Sequence, residues 1–470
     1  MKHISAMGWA HGEFGAVEVE DTRWRARLVR IGAQAWLKPG GRVSDVFSND
    51  AERQGAYGLL ESGAVRAAEV GKAIFGASAR RCVGEEFVFC PVDGTSLTLT
   101  DIGRAKDFGS VGARSQGVRG LKVINALAVS SLGVPVGLTA QVWWARPERR
   151  PKSKHRDQKR PEDKEIGRWL EAMEQTRQMM ALHAPGPRLW FQLDREGDAW
   201  PILEQADKGE HWFTVRGSHN RRVILPCGRQ TYLREVLSEQ CEVARYDLPV
   251  TGGRHRSERV AKMAIRTCSV TLEFRDKRTK RRFPKSVNVL LAREEGTTPP
   301  GEKPIEWMLL TNRPVDRKEH LKQIVFGYAQ RWRIEDFHRT WKSGACRVEE
   351  SQLRSSESVV KWATILAAVA VRIERIKLLS RREPDRPATD EYSPIELRAI
   401  ALLRFGTAAK QRLSDSAPIT LAQATLWVAQ LGGYTGKSSG GPPGSITLAR
   451  GLKEVAASVR TLKALGNSRD

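Results

Sequence analysis

Apolar residues along this chain follow two periods. One set comes as short continuous runs. Phe87 to Val92, Leu121 to Val129, Val134 to Trp144, Leu189 to Leu193, His211 to Val215 and the EWMLLTN stretch with Trp307 are rich in β-branched and aromatic residues. Runs of that length and composition predict buried strands. Gly133 separates the second and third runs and predicts a hairpin there. The other set repeats at helical spacing. Leu28, Ile31 and Ala35 predict a helix that starts after Asp21 or Thr22, either of which suits an N-cap. A break at Pro39-Gly40-Gly41 follows, and then a helical stretch near Ala51 to Leu60. Further helices are predicted near Lys164 to Leu182, Tyr328 to Lys342 and Val359 to Leu379. A last one places Leu452, Val455, Val459, Leu462 and Leu465 on one stripe, facing either its own chain or a second copy.

These elements imply an α/β protein in three parts. Residues 1–75 form a helical domain. Residues 76–379 form a mixed domain interrupted at about 217–305 by a β-rich insertion, where Ser269 to Phe274 and Val287 to Leu291 alternate. Residues 380–470 are helical, joined through a linker at Ser380 to Asp390 and broken by a flexible stretch at Gly436 to Ser445.

Charge narrows the choice of partner. The 470 residues hold 78 Lys and Arg against 54 Asp and Glu, a net charge of +24. A protein this basic meets a polyanion, with nucleic acid the first expectation and an acidic membrane surface the second. The longest apolar run, Trp362 to Val371, is far short of the roughly 20 residues that span a bilayer, and it reads as a buried helix. The N-terminal MKHISAMGWAHGEF has no signal-peptide core. Six cysteines without CxxC spacing read as reduced, mostly core thiols of a cytosolic protein. Arg23, Arg25, Arg27 and Arg30 crowd the first turns of one helix, which suits DNA contact or a solvated basic face. Two basic tracts, 146–160 and 275–285, suit phosphate contact or plain solvation.

Three acidic residues stand at informative places. Asp93 closes the strand Phe87 to Val92, and Asp194 closes Leu189 to Leu193. Asp198 reads instead as the N-cap of a following helix. Arg216 ends the strand after that. Read as one helix at about 100° per residue, YAQRWRIEDFHRTWK puts Tyr328, Arg331, Glu335 and Lys342 on one arc, with Ile334, Phe337 and Trp341 on another. One carboxylate flanked by a phenol, a guanidinium and an ammonium suits a metal ion held against a phosphate.

The spacing Y-(2)-R-(3)-E-(6)-K resembles the signature of the DDE transposases of bacterial cut-and-paste insertion sequences, most closely the branch that excises its DNA through hairpin ends. DGTSL at Asp93 and DREGD at Asp194 resemble that family's first and second catalytic aspartates. Ala26 to Leu28 and Gln54 to Tyr57 resemble its DNA-end-binding domain. Gly440 to Gly444 resembles its tail, although Ser445-Ile446-Thr447 lacks the Trp expected there.

The resemblance implies an RNase H-like catalytic core with a β-rich insertion, between an N-terminal DNA-binding domain and a C-terminal helical dimerisation domain. Asp93, Asp194 and Glu335 would be the catalytic carboxylates. They would share two Mg²⁺, or Mn²⁺ as a substitute, since three converging carboxylates otherwise repel one another. Tyr328, Arg331 and Lys342, with Arg216, would hold a phosphate. Trp307 would stack on a flipped end base. Arg23 and Arg27 would contact the transposon end. Partners would be the inverted repeats and target DNA, with a homodimer assembled on DNA in a bacterial cytoplasm, at the nucleoid. Alternatives are a metal-dependent nuclease that does not join ends and a silent DNA-binding regulator.

Overall fold

The computed structural model describes residues 5–113, 117–147, 164–225, 227–253, 256–276, 279–414, 418–437 and 441–466. Most of the basic tract 146–160 lies outside them. Five helices come first: α1 (Ala6–Phe14), α2 (Thr22–Leu37), α3 (Val43–Val46), α4 (Asp50–Glu61) and α5 (Ala67–Arg80). Asp21 caps α2 by accepting the Arg23 N–H at 2.8 Å. Leu28, Ile31 and Ala35 turn inward, as their spacing predicts. Residue 75 falls inside α5, which runs on from the helical region to cover the sheet.

Strands and helices then alternate: β1 (Phe87–Thr98), β2 (Gly109–Ser110), β3 (Arg119–Val129), β4 (Pro135–Trp144), α6 (Glu165–His183), β5 (Arg188–Leu193), α7 (Trp200–Ala206) and β6 (Trp212–Arg216). Gly133 forms the turn of the β3–β4 hairpin with φ +81, a conformation that favours glycine. The next stretch holds β7 (Arg222–Ile224), β8 (Gln230–Tyr232), α8 (Leu233–Ser238), β9 (Ala244–Val250), β10 (Arg259–Arg275), β11 (Arg282–Glu294) and β12 (Glu306–Thr311). The strands of the expected insertion continue the main sheet. Its order is β2-β3-β1-β5-β6-β12-β11-β10-β7-β8, with β4 on β3 and β9 on β10. β1, β5 and β6 run parallel; the other pairings are antiparallel.

Both faces of the central strands are covered, which is why their sequences read as unbroken apolar runs. Val88, Cys90 and Val92 face one core, under α6 and α7. Phe87 and Phe89 face the other. That second side carries α9 (Lys318–Ala329), α10 (Trp332–Lys342) and α11 (Ser356–Arg382). The C-terminal helices α12 (Pro394–Phe405), α13 (Ala409–Ser414), α14 (Leu421–Leu431) and α15 (Ser445–Gly466) close the structure.

The apolar run at Trp362 lies within α11, a buried helix that contacts both terminal regions. Trp362 Nε1 donates to Gly41 O at 2.7 Å, and Lys361 Nζ donates to Ser62 O at 2.6 Å. The Arg372 guanidinium sits over the rings of Trp36 and Trp9, at 4.1 and 5.1 Å. Residue 379 falls inside this helix. The expected linker is a packed turn, because Arg386 bridges Glu383 and Asp390 and Ala388 is buried. In α15, Leu452, Val455 and Val459 are buried against the same chain, whereas Leu465 is exposed. No described helix is long and apolar enough to cross a membrane. The cysteines are all free, but fewer are core thiols than expected: Cys227 and Cys241 are exposed, since both lie in the β-rich stretch away from the central core.

Trp362→Ala removes a fully buried indole and its bond to Gly41. Such truncations cost about 3–5 kcal/mol. Urea unfolding should show a loss of that size; a loss under about 1 kcal/mol would mean that α11 does not anchor the N-terminal helices.

Candidate active site

The parallel pairing of β1 with β5 ends at Pro91 and Gln192. The strands part there, and the second position beyond on each carries a carboxylate, Asp93 and Asp194. Asp194 follows Leu193, the last residue of β5. Asp93 does not end its strand. β1 runs on to Thr98 because β3 continues to hydrogen-bond it, with Asp93 opposite Asn125. The gap between β1 and β5, and not a strand end, opens the space beside Asp93. Asp93 Oδ1 accepts the Gly94 N–H at 2.7 Å. Asp194 Oδ1 accepts the Glu196 N–H at 2.7 Å and caps the 3-10 turn Arg195–Gly197.

Asp198 is not a helix N-cap; α7 begins at Trp200 with Ala199 at that position. Its buried carboxylate accepts from the Ser218 N–H and hydroxyl at 2.7 and 2.9 Å and pairs with Arg221 at 2.7 Å. Those partners come from the loop after β6, so Asp198 holds that loop in place.

Tyr328 to Lys342 is two helices, not one. α9 ends at Ala329 and α10 starts at Trp332. Between them Gln330 N–H bonds Gly327 O at 3.0 Å and Arg331 N–H bonds Tyr328 O at 3.0 Å. These i→i−3 bonds tighten the backbone where the two helices meet. Gln330 is buried against the β3–β4 turn, where a Cβ at Gly133 would lie 2.4 Å from its side chain. The break divides the expected arc into two groups.

The first group surrounds a cavity of about 460 Å³ lined by Asp93, Asp194, Glu335, His338, Lys342 and Glu349, among others. Arg331, 6% exposed, packs behind two of these carboxylates. Its Nη1 lies 3.5 Å from Asp93 Oδ2 and 3.3 Å from Glu335 Oε1. Lys342 Nζ lies 3.4 Å from Thr95 Oγ1 and 3.6 Å from Glu349 Oε1. Burial pushes the Asp93 carboxyl up to about 7, and the charges of Asp194 and Glu335 add to the shift. Arg331 and the Gly94 N–H oppose it.

The second group lies beside the first. The Tyr328 ring is 2% exposed and meets Trp307 edge-to-face at 5.4 Å. Burial raises the Tyr328 phenol, while the nearby Arg216 and Arg331 guanidiniums pull it down and the Asp194 charge raises it. Arg216 Nη2 also donates to Glu306 O at 2.9 Å, one residue before Trp307. Arg23 and Arg27 stand apart on the exposed side of α2. Arg23 pairs with Asp21 at 2.8 Å, and Arg27 sits over the Trp24 ring at 5.2 Å.

His338 was quoted in the sequence only as part of the signature string. It lies three residues after Glu335, and that spacing on a helix could have marked it. A donor atom of its ring and carboxylate oxygens of Asp93 and Glu335 all lie within 4.8 Å of one another. Asn125 Nδ2 is 3.0 Å from His338 Nε2, and Gln141 Nε2 donates to Asn125 Oδ1 at 2.7 Å. In that orientation Nε2 accepts and the ring proton rests on Nδ1. Burial pushes His338 down to about 3, with Lys342 and Arg331 adding to the shift, so the ring is neutral. Trp332 is the other omission: it is 51% exposed, with the Arg331 guanidinium 4.9 Å from its ring. A large aromatic left this exposed is not explained by packing in the core.

Two family models match. Residues 6–65 match the one described as "Transposase DNA-binding" and residues 203–372 the one described as "Transposase DDE domain". The chain carries a DNA-binding and a DDE domain of transposases. The DNA-binding match spans α1 to α4, including Arg23 and Arg27. The DDE match contains Glu335 and begins after Asp93 and Asp194. Those two aspartates are joined to the DDE segment by the geometry of the cavity.

The donor set fits divalent metal. DDE domains use divalent ions, and hard carboxylate oxygens converging in an acidic cavity open to solvent are what such ions take. Asp93, Glu335 and Asp194 would hold them, with His338 at the same position in the cavity.

The Asp93 shift gives a pH dependence. Its folded value, about 7, lies above the ordinary 3.8. The folded protein therefore binds the extra proton, and stability drains away as pH rises from about 4 to about 7. Metal-free Asp93→Asn should melt higher than the parent, by more at pH 8 than at pH 5, with the gap closing near pH 4. A gap independent of pH would show that Asp93 is not strained by its charge.

Proposed function

We propose that this chain is a cut-and-paste DNA transposase that binds transposon ends, nicks them, closes a hairpin and joins the excised end to target DNA. The observation that carries the reading is the meeting of Asp93, Asp194, Glu335 and Lys342 in one cavity, with Arg331 against two of the carboxylates, in a chain with both transposase domains. The charge of +24 suits the polyanionic substrate.

Each group has a task. Two Mg²⁺ bound by the carboxylates would supply the Lewis acidity that polarises the scissile phosphate and activates an attacking water. Arg331 sits between Asp93 and Glu335 at distances long for ion pairs, so its guanidinium has donors left for a phosphate oxygen. Lys342 projects into the same cavity from the far end of α10. Tyr328 and Arg216 hold the phosphate near the flipped base, and Trp307 offers that base an aromatic face. Trp332 gives the unstacked duplex a second exposed ring. The His338–Asn125–Gln141 chain fixes a neutral imidazole beside Asp93 and Glu335, and so keeps a positive charge out of that wall.

The order of reaction is the one that the resemblance to hairpin-forming DDE transposases implies. A water nicks the end, and the freed 3′-hydroxyl attacks the opposite strand and closes the hairpin. A second water opens it, and the 3′-hydroxyl then attacks target DNA. Arg23 and Arg27 contact the end from α2. The second basic tract contributes less than its sequence count suggests, because Arg282 pairs with Glu273 and Lys285 with Asp207. A homodimer on DNA would have to use surfaces other than Leu452, Val455 and Val459, which are covered within the chain.

Supercoiled plasmid carrying the gene's own flanking DNA as ends, with Mg²⁺, tests the reading on denaturing gels. The parent protein should yield hairpin-ended excised DNA and joined products. Glu335→Gln should lose more than about 100-fold in rate, beyond what loss of an outer-shell metal partner costs. Nicks without joining would instead favour a nuclease, and binding without cleavage in Mg²⁺ or Mn²⁺ a regulator. Trp307→Ala should slow hairpin formation more than first nicking. Equal loss at both steps would leave Trp307 as a packing residue only.

A further inference from the structure

Glu349 has no role in the carboxylate chemistry, yet it lines the same cavity. It sits in a 3-10 turn, Val348–Glu350, just beyond α10. Its Oε1 accepts the Thr98 N–H at 2.8 Å and lies 3.6 Å from Lys342 Nζ. We infer that Glu349 is a positioning residue that holds the Lys342 ammonium at the mouth of the cavity, ready for a DNA phosphate. This rests on the transposase reading above.

The turn that carries Glu349 is clamped from several sides. Arg347, which precedes it, is left-handed at φ 48, a conformation that costs a side-chain-bearing residue energy. It is retained because the surroundings dictate it. Gly41, between α2 and α3, meets Arg347 so closely that a Cβ there would lie 1.9 Å from its carbonyl oxygen. Asp45 of α3 lies 3.7 Å from the Arg347 guanidinium. Cys346 and Val348, on either side, are fully buried. The end-binding domain therefore presses on one side of this turn, and the edge of β1 holds Glu349 on the other.

Lys342 benefits in a specific way. A lysine ammonium has three donors. Thr95 Oγ1 accepts from one of them at 3.4 Å, the Glu349 carboxylate attracts the charge from 3.6 Å on the same β1 side, and the remaining donors are left for the cavity. A free lysine loses much rotamer freedom when it grips a phosphate, and one already held loses less. Half-exposed ion pairs add little to stability. The pair therefore matters through placement, and its effect should show in the reaction and not in the melt.

Two readouts on the full-length protein test this, with Glu349→Gln, Glu349→Ala, Lys342→Ala and the double variant Glu349→Ala/Lys342→Ala. The first is the rate at which Lys342 is acylated by an amine-reactive ester, followed by mass spectrometry without DNA. Release from Glu349 should raise it several-fold in the Ala variant and less in Gln, which keeps an acceptor. The second is single-turnover nicking of an end-bearing duplex. Glu349→Ala should slow it by up to about tenfold, the size of immobilising one flexible side chain. The double variant should be no slower than Lys342→Ala alone, and melting temperatures should match. Unchanged acylation overturns the proposal. So does a double variant slower than Lys342→Ala by the full single effect, which would mark Glu349 as a strut. If the parent nicks no DNA, the transposase reading falls, and acylation alone decides whether Glu349 holds Lys342.

Discussion

Carboxylates brought together out of water repel one another, and the central part of this fold is arranged around that cost. Asp93 is almost wholly buried, with Asp194 and Glu335 close enough to push its proton affinity up. Arg331 is the buried cation that faces two of the three. Its place depends on the break between α9 and α10, and the break depends on Gln330 seated under the Gly133 turn. The parting of β1 from β5 supplies the opening. Remove any of these and the acids either separate or face one another uncompensated. A site with three acids and one buried guanidinium is poised for divalent cations, because only they restore the charge balance without filling the cavity.

The same tension explains how the ends of the chain are tied in. α11 lies behind α10 and is buried almost along its length. It receives Gly41 and Ser62 from the N-terminal helices and faces α14 and α15 from the other end. Trp341 Nε1 donates to Ala363 O at 2.8 Å, so the signature helix is pinned to α11 by its own buried face. The expectation that Ile334, Phe337 and Trp341 form a packing face is met: each is fully buried.

Much of this was legible in the sequence, and the failures have physical reasons. Apolar runs marked β1, β3 to β6 and β12 because strands covered on both faces cannot hide their composition. The approach of Asp93 and Asp194 was legible because both follow such runs. The break at Gln330 and Arg331 was not. Neither is Gly or Pro, and both keep right-handed helical angles, so no local signal announces the turn. What makes it is a hairpin nearly 200 residues upstream. Asp198 was misread for the same reason, since its partners Ser218 and Arg221 are distant in sequence. His338 and Glu349 needed knowledge of which side of α10 faces the acids. The contact of Tyr328 with Trp307 was not legible either, because it joins residues on different elements of the fold.

The contact between Tyr328 and Trp307 bears on how base and phosphate would be kept in register. The strands of the expected insertion at about 217–305 extend the main sheet: β11 pairs with β12, and β12 pairs with β6. Leu309 of β12 stands opposite Arg216, and β6 in turn lies parallel to β5, which delivers Asp194. Trp307, Arg216 and Asp194 are thus carried by consecutive strands, and Tyr328 is packed against the first of them. A continuous hydrogen-bonded sheet does not allow these residues to slide relative to one another. A base captured against Trp307 would therefore sit at a fixed offset from a phosphate held at the carboxylates. If one site acts in turn on several strands, as proposed, that rigidity assigns the movement to the DNA and not to the protein.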